Sequence, residues 1–192
     1  MKSRPYEMRA RADSAAVTAE RILDAVERLF FAEPGREPTV AAIAAEAEVS
    51  AQTVIRRFGG RDGAEAAAFA RAAGRIEAHR AESPPGDLRA AVANLVEHYE
   101  SVGDGVLRML ADEHRRPLVG EVVAAGRRVH ERWCSRVFAA TLAPLRGGAR
   151  ARRLAQLMAV CDVYVWKVLR RDRGLSTAHV ELALREMLAP LI

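Results

Sequence analysis

VSAQTVIRRFGGRDG, residues 49–63, crowds Arg56, Arg57 and Arg61 around a single phenylalanine and closes on glycines. Ser50 is a helix-capping residue type and Gly59–Gly60 a C-terminal stop, so AQTVIRRF between them reads as one short helix. Val54 and Phe58 stand one helical turn apart and share a face, which is apolar. Gln52, Thr53, Arg56 and Arg57 are left on the other side.

Upstream, TVAAIAAEA begins with Thr39, another capping residue, and places Val40, Ile43, Ala44 and Ala47 on one side of a second short helix. Only a brief turn separates the two. Before them, Ile22, Leu23, Val26, Leu29 and Phe30 recur at helical spacing from Ala15, with Pro34 and Gly35 as the stop. Two short helices joined by a tight turn form a helix-turn-helix, whose second helix fits the major groove of DNA. Gln and Arg offer paired hydrogen bonds to purine edges, while Thr53 and Arg61 suit phosphates. Thr39 and Ser50, at helix N-termini, add backbone amides for a phosphate. The expected DNA-contacting set is therefore Thr39, Ser50, Gln52, Thr53, Arg56, Arg57 and Arg61.

Residues 21–62 resemble the N-terminal region of TetR-family transcriptional repressors. RILDAVERLF, Gly35, TVAAIAAEAEVS, Thr53, Phe58 and Arg61 carry the likeness. The resemblance implies a homodimer whose N-terminal heads bind double-stranded operator DNA, and a helical C-terminal domain that takes up a small-molecule effector and releases the DNA. This sequence departs from the family in four places. Glu48 stands where the family has a turn glycine, Ile55 for its tyrosine, Arg57 for its histidine and Arg61 for its lysine. A glutamate held at positive φ is strained by roughly 1 kcal/mol.

The rest of the chain fits that frame. Of 192 residues, 50% are hydrophobic and 29% charged, with a net charge of +5. That excludes disorder and permits a polyanionic partner without requiring one. Strong helix formers dominate and no strand alternation occurs, so the expected fold is all-α with about nine helices. The expected division is a basic flexible tail over 1–14, the helix-turn-helix head over 15–62, and a ligand-binding and dimerisation domain over 63–192. In the last, helices are expected over 64–82, from Asp87 up to Gly103 and Gly105, over 118–143, over 149–171 and over 176–190. The helix over 64–82 is expected to act as a lever between effector and head.

Tyr99, Met109, His130, Trp133, Phe138, Met158, Asp162 and Trp166 are the polar, aromatic and adaptable side chains that suit a ligand pocket. Each also suits an ordinary core. Leu157, Cys161, Val165, Val180, Leu184 and Met187 fall where the family pairs its subunits, a four-helix bundle when two copies meet. Two heads about 34 to 36 Å apart can read a palindrome. The five histidines form no metal-binding spacing, and no glycine-rich phosphate loop follows a strand. No cofactor, no metal and no catalytic residue is expected, and Cys134 and Cys161 form no disulfide framework. With neither a signal peptide nor a membrane span, the expected setting is the cytoplasm. Two other readings stay open: a sequence-nonspecific DNA-binding protein, and a helical small-molecule binder or enzyme with a degenerate head.

Overall fold

Every element of the computed structural model is helical among the residues it describes, 4–32 and 37–192, with side chains from Asp13 to Phe30 and from Glu37 onward. Two compact units result, Met1–Ala72 and Ala73–Ile192.

The first unit holds α1 (Arg4–Ala32), α2 (Val40–Glu46), α3 (Ala51–Phe58) and the start of α4 (Arg61–Ala81). Its core comes from the predicted stripe. Ile22, Ala25, Val26, Ile43, Val54, Ala64 and Ala68 have no exposed surface. Leu29, Val40, Val49 and Phe58 pack against them. Phe30 meets Phe69 edge to face at 5.0 Å. On the rim, Arg71 of α4 draws together Glu20, Asp24 and Glu27, three acids on one face of α1.

Two expectations change here. The helix expected from Ala15 already begins at Arg4, and residues 4–14 belong to α1. Their sequence is rich in Ala, Arg, Glu and Met, and Pro5 falls in the first turn, where its missing N–H breaks no helical bond. Residues 1–3, and the stop expected at Pro34 and Gly35, lie outside the described residues. The expected boundary at 62/63 compares with a division at 72/73, because Ala64, Ala68 and Phe69 are buried in the first unit and Arg71 pairs with α1.

The turn between α2 and α3 is where the chain is strained. Glu48 has φ 51°, the one positive value at a non-glycine among the described residues. Val49 N–H donates to Ala44 O (2.9 Å) and Glu48 N–H to Ala45 O (3.1 Å). This is a Schellman cap with Glu48 at the left-handed position that glycine ordinarily takes. Arg21 reaches the Glu48 carboxylate at 2.7 Å, an exposed pair that offsets little of the strain. Glu48→Gly is expected to raise stability by about 0.5–1 kcal/mol, since the strain relieved exceeds the exposed pair lost. Urea denaturation checks it.

The second unit is built around α5 (Leu88–Asp112), which packs against α6 (Pro117–Val137), α9 (Val163–Lys167) and α10 (Thr177–Leu188). α7 (Ala139–Leu142) and α8 (Gly147–Val160) lie between α6 and α9 in the chain. A π-helical turn (Val168–Asp172) follows α9, and a 3-10 turn (Ala189–Leu191) follows α10. Asp87 and Ser176 cap α5 and α10 as the sequence predicts, accepting from Ala90 and His179 N–H.

The break expected at Gly103 and Gly105 is absent, and α5 runs through both. Gly103 is small for another reason: a methyl group there would stand 2.6 Å from the ring of Trp166, which has no exposed surface. The single helix expected over 149–171 is divided. Cys161 ends α8, and Asp162 takes an extended conformation and accepts Tyr164 N–H at 2.9 Å to start α9. An acid on a largely apolar helix is thus a cap, the job its short carboxylate does best. In α6 the buried stripe is Val119, Val123, Trp133, Cys134 and Val137, leaving Val122 and Val129 only half-buried.

Candidate nucleic-acid interface

α3 is pinned from three sides. Ser50 Oγ accepts Thr53 N–H at 3.2 Å and lies 2.8 Å from Thr53 Oγ1. Gly59, at φ 78°, returns its N–H to Ile55 O at 2.8 Å and ends the helix. Val54 is fully buried and Phe58 packs on the same core. Phe58 therefore faces inward as predicted, and the structure brings Gln52, Arg56 and Arg57 together on the exposed side. Neither arginine has an ion-pair partner among the described residues, and Gln52 makes no hydrogen bond there.

Other members of the expected set are already engaged. Thr39 Oγ1 accepts Ala42 N–H at 3.1 Å and caps α2. Ser50 and Thr53 hold each other. Arg61 bonds to Glu37 and, at 2.8 Å, to Asp62. The Asp62 bond, against the opposing pull of burial, holds the Arg61 pKa above the ordinary arginine value. A phosphate contact from Arg61 requires exchanging those carboxylates; one from Arg56 or Arg57 does not. One residue on the exposed side is absent from the expected DNA-contacting set. Ile55 is 44% exposed beside the arginines, where an apolar group can meet a thymine methyl. An apolar residue one position off the Val54–Phe58 stripe was the available signal.

The residues expected to line a pocket converge, with one exception, in the second unit. His130 stacks on Trp133 at 6.2 Å, Trp133 meets Phe138 edge to face at 6.3 Å, and Tyr99 lies 5.9 Å from Trp166. His130 Nε2 stands 3.1 Å from Met158 O, and Tyr99 OH donates to Cys161 O at 2.9 Å. Trp166 Nε1 donates to Glu100 at 2.9 Å, and Asp162 caps α9 beside it. Met109 is half-buried and packs outside this cluster.

The sequence reading missed the group at its centre. Arg80, only 5% exposed, sets its guanidinium carbon 5.1 Å from the Trp133 ring and 5.5 Å from the Tyr99 ring. Its Nη1 lies 3.3 Å from His130 Nδ1. A proton on Nε2, facing Met158 O, leaves Nδ1 in that tautomer to accept from the Arg80 guanidinium. The signal was present in the sequence: Phe69, Ile76 and Arg80 recur on one face of α4, so Arg80 continues the buried stripe.

Solved structures with this fold are known. A Rhodococcus sp. protein provisionally named a TetR-family transcriptional regulator superimposes with a TM-score of 0.66 at 17% identity, over 91% of this chain and 98% of that one. The chain has the TetR fold. A Pseudomonas aeruginosa PAO1 protein provisionally named a transcriptional regulator gives 0.64 at 16% identity, over 94% of this chain and 91% of that one. No protein-family model matches the sequence, nor does any curated protein. No described helix is long and apolar enough to cross a membrane, and no described group of three or more His, Cys, Asp or Glu is placed to hold a metal.

Within the TetR fold of this chain, the residues expected at a subunit contact are redistributed. Leu157, Cys161, Val180 and Leu184 are at most 1% exposed within their own chain, and Val165 packs on the same core. They fill the interior because α5 lies against both α9 and α10, and α8, which carries Leu157 and ends at Cys161, lies against α6 and α10. Met187 alone of the six stays open, at 41%, and the other large apolar side chains exposed in the second unit are Tyr164, Val168, Leu182 and Ile192.

Burial also sets a pH response. His98, 7% exposed, has its pKa pushed down to about 3, first by burial and then by the Arg80 charge and by His79 and His130. The folded chain keeps it neutral where the unfolded chain, with a pKa near 6.5, takes up a proton. Its contribution to stability is therefore complete above pH about 6.5 and is lost as pH falls toward 3, by at most about 1.4 kcal/mol per pH unit. Denaturation between pH 7 and 4 is expected to show a shallower acid decline in His98→Leu than in the parent chain.

Proposed function

We propose that this chain is a TetR-like transcriptional regulator, a repressor that acts in the cytoplasm. Two copies bind a palindromic operator through their α3 helices, and a small-molecule effector in the second unit releases them. The observation that carries this reading is the face of α3: Gln52, Arg56 and Arg57 stand exposed with no partner among the described residues, while the opposite side of the same short helix is locked by Val54 and Phe58. Exposed cations that the fold leaves uncompensated, on a helix of groove-fitting size, are what phosphates and purine edges bind. Likeness of fold to proteins provisionally named regulators supports it.

Pairing of subunits is supported by Tyr164, Val168, Leu182 and Met187. They are apolar, 41–53% exposed, and belong to α9, the π-helical turn and α10. A second copy covering them completes a helical bundle and carries two heads. Release follows if the effector binds one arrangement of the dimer more tightly than the other, since affinity alone shifts nothing. α4 is the element suited to transmit it, because one helix runs from Arg61 in the first unit to Ala81 in the second.

Electrophoretic mobility shift on the DNA upstream of the chain's own coding sequence tests this. A retarded band that survives excess bulk DNA and weakens steeply with salt is expected. A band equally well competed by any DNA indicates the sequence-nonspecific reading instead.

A further inference from the structure

Arg80 is a buried cation with no carboxylate paired to it among the described residues. Its neighbours are Nδ1 of His130, the faces of Trp133 and Tyr99, and the Tyr99 hydroxyl. Other arginines of the unit have carboxylate partners: Arg127 with Glu113, Arg132 with Glu77, Arg170 with Glu100, Arg171 with Asp104. Aromatic faces stabilise a guanidinium from above and below, but the in-plane N–H groups still require acceptors, and a charge taken from water requires a counter-charge.

Hydrogen-bonding capacity is also left over in this unit. Trp133 Nε1, Ser83 Oγ and Asn94 Oδ1 are buried without a hydrogen-bond partner among the described residues, and the first two can donate. Trp133 is the ring against which Arg80 stacks. Ser83 sits one turn beyond Arg80 and is tied to it through Arg136, which donates to both backbone carbonyls at 2.6 Å. An indole N–H can only donate, and a hydroxyl can donate as well as accept. A cation and two unused donors, in a surround of neutral aromatic rings, are complementary to an anion carried on an apolar body.

We propose that Arg80, Trp133 and Ser83 receive the carboxylate of a small organic acid, whose apolar part lies against the ring cluster of the second unit. This rests on the reading of that unit as the effector domain and names the effector's chemical class. An acid bound there acts on the last turn of α4, the helix that both units share.

Acetate, hexanoate, decanoate and benzoate, each compared with its neutral primary amide at constant ionic strength, provide the test, read by tryptophan fluorescence and thermal melting of the full chain. At least one acid is expected to give a saturable change and to raise the melting temperature. Its amide is expected to bind roughly ten-fold or more weakly, and Arg80→Gln to lose roughly ten-fold or more in affinity for the acid, as expected for a charge-assisted bond. Arg80→Lys, which keeps the charge without the fork, is expected to retain part of it. The proposal is overturned if none of the acids binds, if acid and amide bind alike, or if Arg80→Gln binds the acid as the parent does. Should Arg80→Gln fail to fold, the acid and amide comparison in the parent chain decides. DNA binding by the parent chain is measured separately. A selective shift with no acid binding overturns the acid site and leaves the regulator reading; acid binding with no selective shift does the reverse.

Discussion

Replacing Arg56 and Arg57 together by alanine is expected to weaken DNA binding by at least roughly a hundred-fold, because each arginine lost from a base or phosphate contact costs about 1–3 kcal/mol. The slope of log affinity against log salt should fall by about one for each of the two that touches phosphate. Both side chains are exposed and without partners among the described residues, so the stability of the variant should stay within about 0.5 kcal/mol of the parent. That combination separates a binding face from a structural one. Arg61→Ala is a poorer probe, since it also removes the contacts with Glu37 and Asp62. Fluorescence anisotropy across a salt series, with urea denaturation alongside, measures both quantities. Unchanged affinity in the double variant removes α3 from the account.

Trp166→Ala is expected to destabilise the chain by about 3–5 kcal/mol, the usual range for truncating a fully buried aromatic. Trp166 has no exposed surface, rests against Gly103 and Tyr99, and donates its N–H to Glu100. Glu100 is also held by Arg170 at 3.0 Å, so its carboxylate keeps a partner and the loss is mainly one of packing. Gly103 gives the complementary experiment. Alanine is a better helix former than glycine by roughly 1 kcal/mol, yet Gly103→Ala is expected to destabilise by about 1–3 kcal/mol through overlap with the indole. In a Trp166→Leu background the same change should be neutral or stabilising. A double-mutant cycle by urea denaturation reads the difference. Additive effects would mean that the helix tolerates a side chain at 103 for reasons unrelated to Trp166.

The head was legible because its information is local. Thr39 and Ser50 cap the helices they precede, Gly59 ends α3, and the Ile22–Val26 and Val54–Phe58 spacings predict the buried faces. Glu48 was legible as a problem, since a short turn after α2 requires the left-handed conformation whatever residue stands there. The second unit was read less well, because what decides it is contact between residues distant in sequence. Gly103 looks like punctuation until Trp166 is seen to lie on it. Asp162 looks like a charge on an apolar helix until the helix is seen to restart there. Val180 and Leu184 look available for a second subunit until α5 is found to cover α10, and Leu157 until α8 is found against α6 and α10. Arg80 was the costliest omission: arginine is ordinarily a surface residue, and its place on the α4 stripe was outweighed by its type.

Methylation interference on the retarded DNA fragment is the most direct measurement of whether α3 reads the major groove. Methyl groups on guanine N7 project into that groove, and those on adenine N3 into the minor groove. Interference at guanine N7 in two clusters about one helical turn apart is the predicted result. Interference confined to adenine N3, or none at all under conditions that give a selective shift, would contradict it.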